Sequence, residues 1–168
     1  MNILFVCTAN ICRSAMSAAI LKKMVAEKGL QQSILVDSAG TEALIESPSE
    51  ETTIDVCRRH GIDIAMHRAQ QITHVMVRDA SVILCMAEPH RRIIRGIFPQ
   101  WERKILLLKE FGLEEAPGQP SVEDPTGKAK KKYEKCFLEL EAEITRIFPL
   151  LQELSESEKL HRQPKQSP

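Results

Sequence analysis

Short apolar runs alternate along this chain with stretches whose apolar positions recur every three or four residues. Runs near Asn2-Val6, Ser33-Val36, Val82-Cys85 and Lys104-Leu107 have the length of strands buried on both faces, which need no polar alternation. The segments between them read as helices. Ala18, Leu21 and Val25 predict a helix from about Ala15 to Lys28, stopped at Gly29. A second spans about Thr52 to His60 before Gly61, and a third Glu88 to Ile97, where Pro89 is tolerated in a first turn. From about Gly127 onward, Tyr133, Phe137, Leu140, Ile144, Ile147 and Leu151 share one face, a stripe suited to packing on a sheet. Strands alternating with helices predict an α/β fold, a three-layer sandwich in which helices flank a four-stranded parallel sheet.

Pro149 is expected to kink the last helix or remove one of its hydrogen bonds. Beyond Leu151 the sequence turns polar and offers little to offset ordering entropy, which predicts one domain over residues 1–152 and a disordered tail over 153–168. A chain of 168 residues, 43% hydrophobic, is long enough for one core. The formal net charge of +0 gives no reason to expect nucleic acid or an anionic membrane as partner. Lys128, Lys130, Lys131, Lys132 and Lys135 read as a solvated face, with attraction for acidic protein substrates as the alternative. No apolar run approaches about 18 residues, and the amino terminus enters a strand without signal-peptide architecture, so a cytoplasmic location is expected. Five cysteines, an odd number widely spaced, fit free thiols in a reducing compartment.

The chemistry concentrates at Cys7-Thr8-Ala9-Asn10-Ile11-Cys12-Arg13-Ser14, between the first strand and the first helix. A tight loop there turns successive backbone N–H groups inward, and the helix adds its positive pole, which together make a nest for a tetrahedral oxyanion. In that field Cys7 is stabilised as a thiolate, the nucleophilic form. Arg13 offers a planar fork that pairs two phosphoryl oxygens at once. Ser14 can cap the helix or reach the sulfur, and Asn10 is the residue suited to a left-handed turn. Cys57 and His60 have a zinc-like spacing, but no second pair follows and a helix runs through them, so no metal site is expected.

Transfer of a phosphoryl group to a thiolate needs an acid to protonate the departing oxygen. Asp124, held extended before Pro125, is the candidate, with the bare alternative that Asp-Pro only starts a turn.

These segments together resemble the low-molecular-weight protein tyrosine phosphatase family. Asn2-Ile3-Leu4-Phe5-Val6-Cys7 with Asn10-Ile11-Cys12-Arg13-Ser14 is similar to its nucleophile loop, Val36-Asp37-Ser38-Ala39-Gly40-Thr41 to its second strand and turn, and Gly61-Ile62-Asp63 with His67 to its middle segment. Val82-Ile83-Leu84-Cys85-Met86, Lys104-Ile105-Leu106-Leu107-Leu108 and Asp124-Pro125 match its third strand, fourth strand and general-acid motif. The resemblance implies a catalytic phosphatase domain that needs neither metal nor other cofactor. Cys7 would be the nucleophile, Arg13 and the loop residues Thr8, Ala9, Asn10, Ile11, Cys12 and Ser14 would hold the phosphoryl group, and Asp124 would be the acid. Ser38 and Pro125 would support them. The implied partners are a phosphorylated protein, phosphotyrosine first, and the phosphate ion. It also implies that a reversible Cys7–Cys12 disulfide could shield the nucleophile.

Departures from the pattern fall at Ala9 for glycine, Ala15 for proline, Gln70 for the arginine of Ala-Arg-Gln, Ala87 for aspartate, and Leu44, Thr126 and Gly127 where aromatic side chains often line the rim. Three alternatives stay open: a protein-arginine phosphatase, whose branch carries threonine at the position of Ile11; an arsenate reductase, for which Cys85 would need a third thiol close by; and a phosphate-binding protein without turnover.

Overall fold

The computed structural model describes residues 1–115 and 117–162. Strands β1 (Asn2–Cys7), β2 (Leu35–Gly40), β3 (Val82–Cys85) and β4 (Ile105–Leu107) form one parallel sheet in the spatial order β2, β1, β3, β4. Helices α1 (Arg13–Glu27), α2 (Glu51–Arg59), α3 (His74–Asp79), α4 (Glu88–Ile97) and α5 (Lys130–Arg162) surround it, and a short 3-10 helix (Pro99–Lys104) leads into β4.

Successive side chains of a strand point to opposite faces, and β1 shows what that does inside a continuous apolar run. Ile3 and Phe5 pack with Met16 and Leu21 of α1, Val56 of α2 and Phe137, Leu140 and Ile144 of α5. Leu4 and Val6 pack on the other face with Val77 of α3 and Ile94 of α4. Three layers result, as the pattern predicts. Each fully buried aliphatic or aromatic side chain in them contributes about 1.5–3 kcal/mol. With β2 on one flank of β1 and β3 on the other, the carboxyl end of β1 is a switch point of the topology, where parallel sheets open a crevice for ligands.

Several boundaries differ from the sequence reading. The second strand lies later, at Leu35–Gly40 rather than Ser33-Val36, because its buried positions are Ser38, Ala39 and Gly40 and its start is an exposed edge. Helix α3 and the 3-10 helix are too short to show a periodicity. The expected disorder over 153–168 is corrected for 153–162, where α5 continues to Arg162, and 163–168 lie outside the described residues. The continuation has a physical basis: Leu, Glu and Lys favour helix, Ser155 is buried and donates to the Ser33 carbonyl at 3.2 Å, and Glu158 pairs with the Met1 amine at 3.4 Å. Pro149 sits inside α5 on an exposed face, where the helix loses one backbone donor but water can solvate the freed carbonyl.

Candidate active site

Five consecutive carbonyls of the loop after β1 are turned outward and taken up by its surroundings. Cys7 O accepts from Thr41 N–H at 2.9 Å, Thr8 O from Glu42 N–H at 3.0 Å, Ala9 O from Leu44 N–H at 3.3 Å and Ile11 O from Glu50 N–H at 3.3 Å. Asn10 O lies 2.6 Å from His67 Nε2. With the carbonyls facing out, the amides of the same peptides face the loop's interior, where α1 begins. That is an anion nest.

Asn10 stands at φ 60°, the left-handed position the sequence assigns to it, and its side chain wires the loop to its neighbours. Nδ2 donates to Ser14 Oγ at 2.9 Å and to Ser38 Oγ at 3.0 Å, while Oδ1 accepts from Gln70 N–H at 3.0 Å. Ser14 Oγ, which accepts from Asn10, lies 2.9 Å from Cys7 Sγ, within hydrogen-bond reach of the sulfur. Ser14 does not cap α1, whose N-cap is Cys12 and lacks a side-chain cap bond. Gly40, ending β2, comes so near that a Cβ there would stand 2.3 Å from the Thr8 carbonyl oxygen. Ala9 avoids positive φ altogether, so its methyl group is accommodated.

Arg13 is buried at the start of α1. It donates to Val122 O at 3.3 Å and to the Asp124 carboxylate, which is half-exposed, so the two motifs meet across more than one hundred residues of sequence. Asp124 also accepts from Thr126 N–H at 3.1 Å through Oδ1. Cys7, Arg13, Ser14, Asn10, Ser38 and Asp124 are thus brought together, with Thr8, Ala9, Ile11 and Cys12 forming the loop between them and Pro125 following the acid. Burial pushes the Cys12 thiol far up and Cys57, Cys85 and Cys136 up to about 12, which leaves those sulfurs protonated. Cys57 and His60 hold no common ligand position: Cys57 is buried, while His60 lies 2.6 Å from Glu134 and stacks on Phe137.

A family profile described as low molecular weight phosphotyrosine protein phosphatase matches residues 2–161. The chain belongs to that family. Etp, a low molecular weight protein-tyrosine-phosphatase of Escherichia coli K12, is 31% identical over 140 residues, which are 83% of this chain and 87% of Etp. The low molecular weight protein tyrosine phosphatase of T. tengcongensis superposes with a TM-score of 0.81 at 34% identity, covering 89% of this chain and 98% of that one. The YwlE arginine phosphatase of Geobacillus stearothermophilus gives 0.79 at 32% identity, with 97% of each chain covered.

As a low molecular weight phosphatase scaffold, the molecule also holds site neighbours that sequence reasoning passed over. His90, in the first turn of α4, places Nε2 at 2.9 Å from Thr8 Oγ1 and is almost wholly buried. Burial first, and then the nearby Arg13 charge, push it down to about 4 against the pull of Asp124, so the ring is neutral at neutral pH. Tyr133 and Glu50 join the acid segment to the nucleophile loop. The signal for Tyr133 was a polar atom on a face that otherwise reads as packing, and Glu50, the residue before α2, carried none.

Proposed function

We propose that this chain is a protein phosphatase that removes the phosphoryl group from phosphotyrosine through a cysteinyl-phosphate intermediate. The observation that carries the reading is a buried sulfur within 2.9 Å of the Ser14 hydroxyl, at the floor of a loop whose carbonyls all turn outward and whose closing arginine meets the carboxylate of Asp124. Cys7 Sγ attacks phosphorus in line with the ester oxygen, a P–S bond forms as the P–O bond breaks, and Asp124 gives its proton to the departing oxygen. Arg13 and the loop amides hold the three equatorial oxygens, where charge grows in the transition state. Water then attacks phosphorus, Asp124 takes its proton, and the P–S bond breaks to free phosphate and restore the thiolate. Ser14 steadies that thiolate as leaving group. Five buried free cysteines support a reducing, cytoplasmic setting.

A second reading, phosphoarginine as substrate, is favoured by the likeness to the YwlE arginine phosphatase over nearly the whole chain. Ile11 opposes it, because that branch carries threonine at this position and the apolar isoleucine side chain has no hydroxyl to offer a guanidinium. One experiment tests both. Phosphotyrosine and phosphoarginine peptides are offered to wild type, Cys7→Ser and Ile11→Thr. Wild type is expected to prefer phosphotyrosine, Cys7→Ser to lose turnover by about 10⁴-fold or more, and Ile11→Thr to shift preference toward phosphoarginine. A Cys7→Ser variant that turns over like wild type overturns the mechanism, and a wild-type preference for phosphoarginine overturns the substrate.

A further inference from the structure

Asp124 serves two partners at once in the proposed cycle. In the structure its carboxylate occupies the Arg13 fork, the same fork that must hold phosphoryl oxygens when substrate is bound. A bound phosphoryl group therefore competes with Asp124 for Arg13, so the Asp124 side chain loses that partner just when it must face the departing oxygen, while the segment before it stays fixed by buried Val122, which donates to the Met86 carbonyl at 2.7 Å. The far end of the segment needs another hold. Within the segment, an Asx turn from Asp124 to Thr126 and a turn from Pro125 O to Lys128 N–H at 2.9 Å are local and fix nothing to the rest of the molecule.

Tyr133 supplies the outside contact. Its ring is buried in the first turns of α5, and its Oη accepts from Gly127 N–H at 3.0 Å while donating to Glu50 Oε2 at 2.6 Å. Glu50 is the N-cap of α2, and its own N–H donates to the Ile11 carbonyl of the nucleophile loop at 3.3 Å. A continuous path of three hydrogen bonds thus runs from the acid segment through one phenol and one carboxylate to the loop that carries Cys7. Gly127 stands at φ 73°, a position suited to glycine, so the peptide that Tyr133 holds is a tight turn three residues from Asp124. Burial, and next the Glu50 carboxylate, push the Tyr133 hydroxyl up to about 12, which keeps its proton in place as the donor.

Resting on the phosphatase reading above, we infer that Tyr133 and Glu50 are positioning residues that hold the Asp124 segment in register with the nucleophile loop while Arg13 is engaged by phosphate. Neither touches substrate. Their effect falls on proton delivery to the departing oxygen and spares oxyanion binding, which Arg13 and the loop amides perform.

Aryl phosphates of graded leaving-group acidity, from phenyl to p-nitrophenyl phosphate, test this with wild type, Tyr133→Phe and Glu50→Gln, together with inhibition by vanadate. Tyr133→Phe keeps the ring and removes the hydroxyl. It is expected to lower kcat/KM, which reports the steps up to release of the phenol, about tenfold for phenyl phosphate and no more than about twofold for p-nitrophenyl phosphate, and to leave vanadate affinity within about twofold. Glu50→Gln, whose amide oxygen still accepts from Tyr133, should retain most of the rate. Equal losses for good and poor leaving groups, or weakened vanadate binding in parallel with the rate, would reduce the pair to a structural role and overturn the inference while leaving the phosphatase reading intact. Wild-type protein that hydrolyses none of these esters overturns both.

Discussion

His90 shows how one buried side chain sets a pH dependence for the whole domain. Its ordinary value of 6.5 falls to about 4 in the folded chain, so between those two values the unfolded chain binds the extra proton. Stability therefore rises with pH across this window: the contribution is complete above pH 6.5 and is lost as pH falls through about 4. His90→Gln retains a nitrogen for Thr8 and removes the titration. The melting temperature of wild type relative to this variant is expected to stay level above pH 6.5 and to fall steadily toward pH 4. Parallel curves for the two proteins would exclude His90 as the source. At the same scale, the geometry of the candidate site was legible wherever it depends on residue type at fixed spacing. The placing of Cys7, Arg13 and Ser14 around one loop follows from eight consecutive residues, and that of Asn10 from its tolerance of positive φ. His90 and Glu50 were not, because their roles come from partners 82 and 83 residues away.

Helix α5 illustrates why elements are easier to find than to end. Its apolar stripe from Tyr133 to Leu151 places it on the sheet, yet nothing in that stripe records that the helix runs on to Arg162, about 50 Å from its start at the rise of an α-helix. What holds the last turns is tertiary: Ser155 on the Ser33 carbonyl, and Glu158 on the amine of Met1. A chain ending after Gln152 is expected to be less stable by about 1 kcal/mol, read by denaturant unfolding, because the Ser33 carbonyl and the Met1 amine, which keep each other at 2.8 Å, each lose one further partner. Its kcat should match the full chain, since these contacts lie at the amino-terminal edge of the sheet and the reacting groups at the other. Unchanged stability would show that the final turns fray freely. The same helix hid Tyr133 by presenting it as one more member of an apolar row.

The parallel sheet and the three layers follow from the alternation of runs and periodicities, whereas the spatial order β2, β1, β3, β4 comes from the structure, and the family likeness covers residues 2–161. The displaced second strand is instructive. Its last three residues, Ser38, Ala39 and Gly40, carry too little apolar surface to be read as buried, but their smallness lets the nucleophile loop lie directly on the edge of β2. At Gly40 this proximity leaves no room for even a methyl group, since that carbon would meet the Thr8 oxygen at 2.3 Å, whereas at Gly96 in α4 it would meet nothing within 4 Å. The tolerance of the protein to alanine should therefore be opposite at the two places. Gly40→Ala is expected to retain a folded circular dichroism spectrum and lose about a hundredfold in kcat/KM, as the loop backbone is displaced, while Gly96→Ala keeps its rate. In a library of single substitutions, position 40 would be depleted by selection for activity long before selection for folding removed it, marking a point where the scaffold's shape and its chemistry answer to the same missing atom.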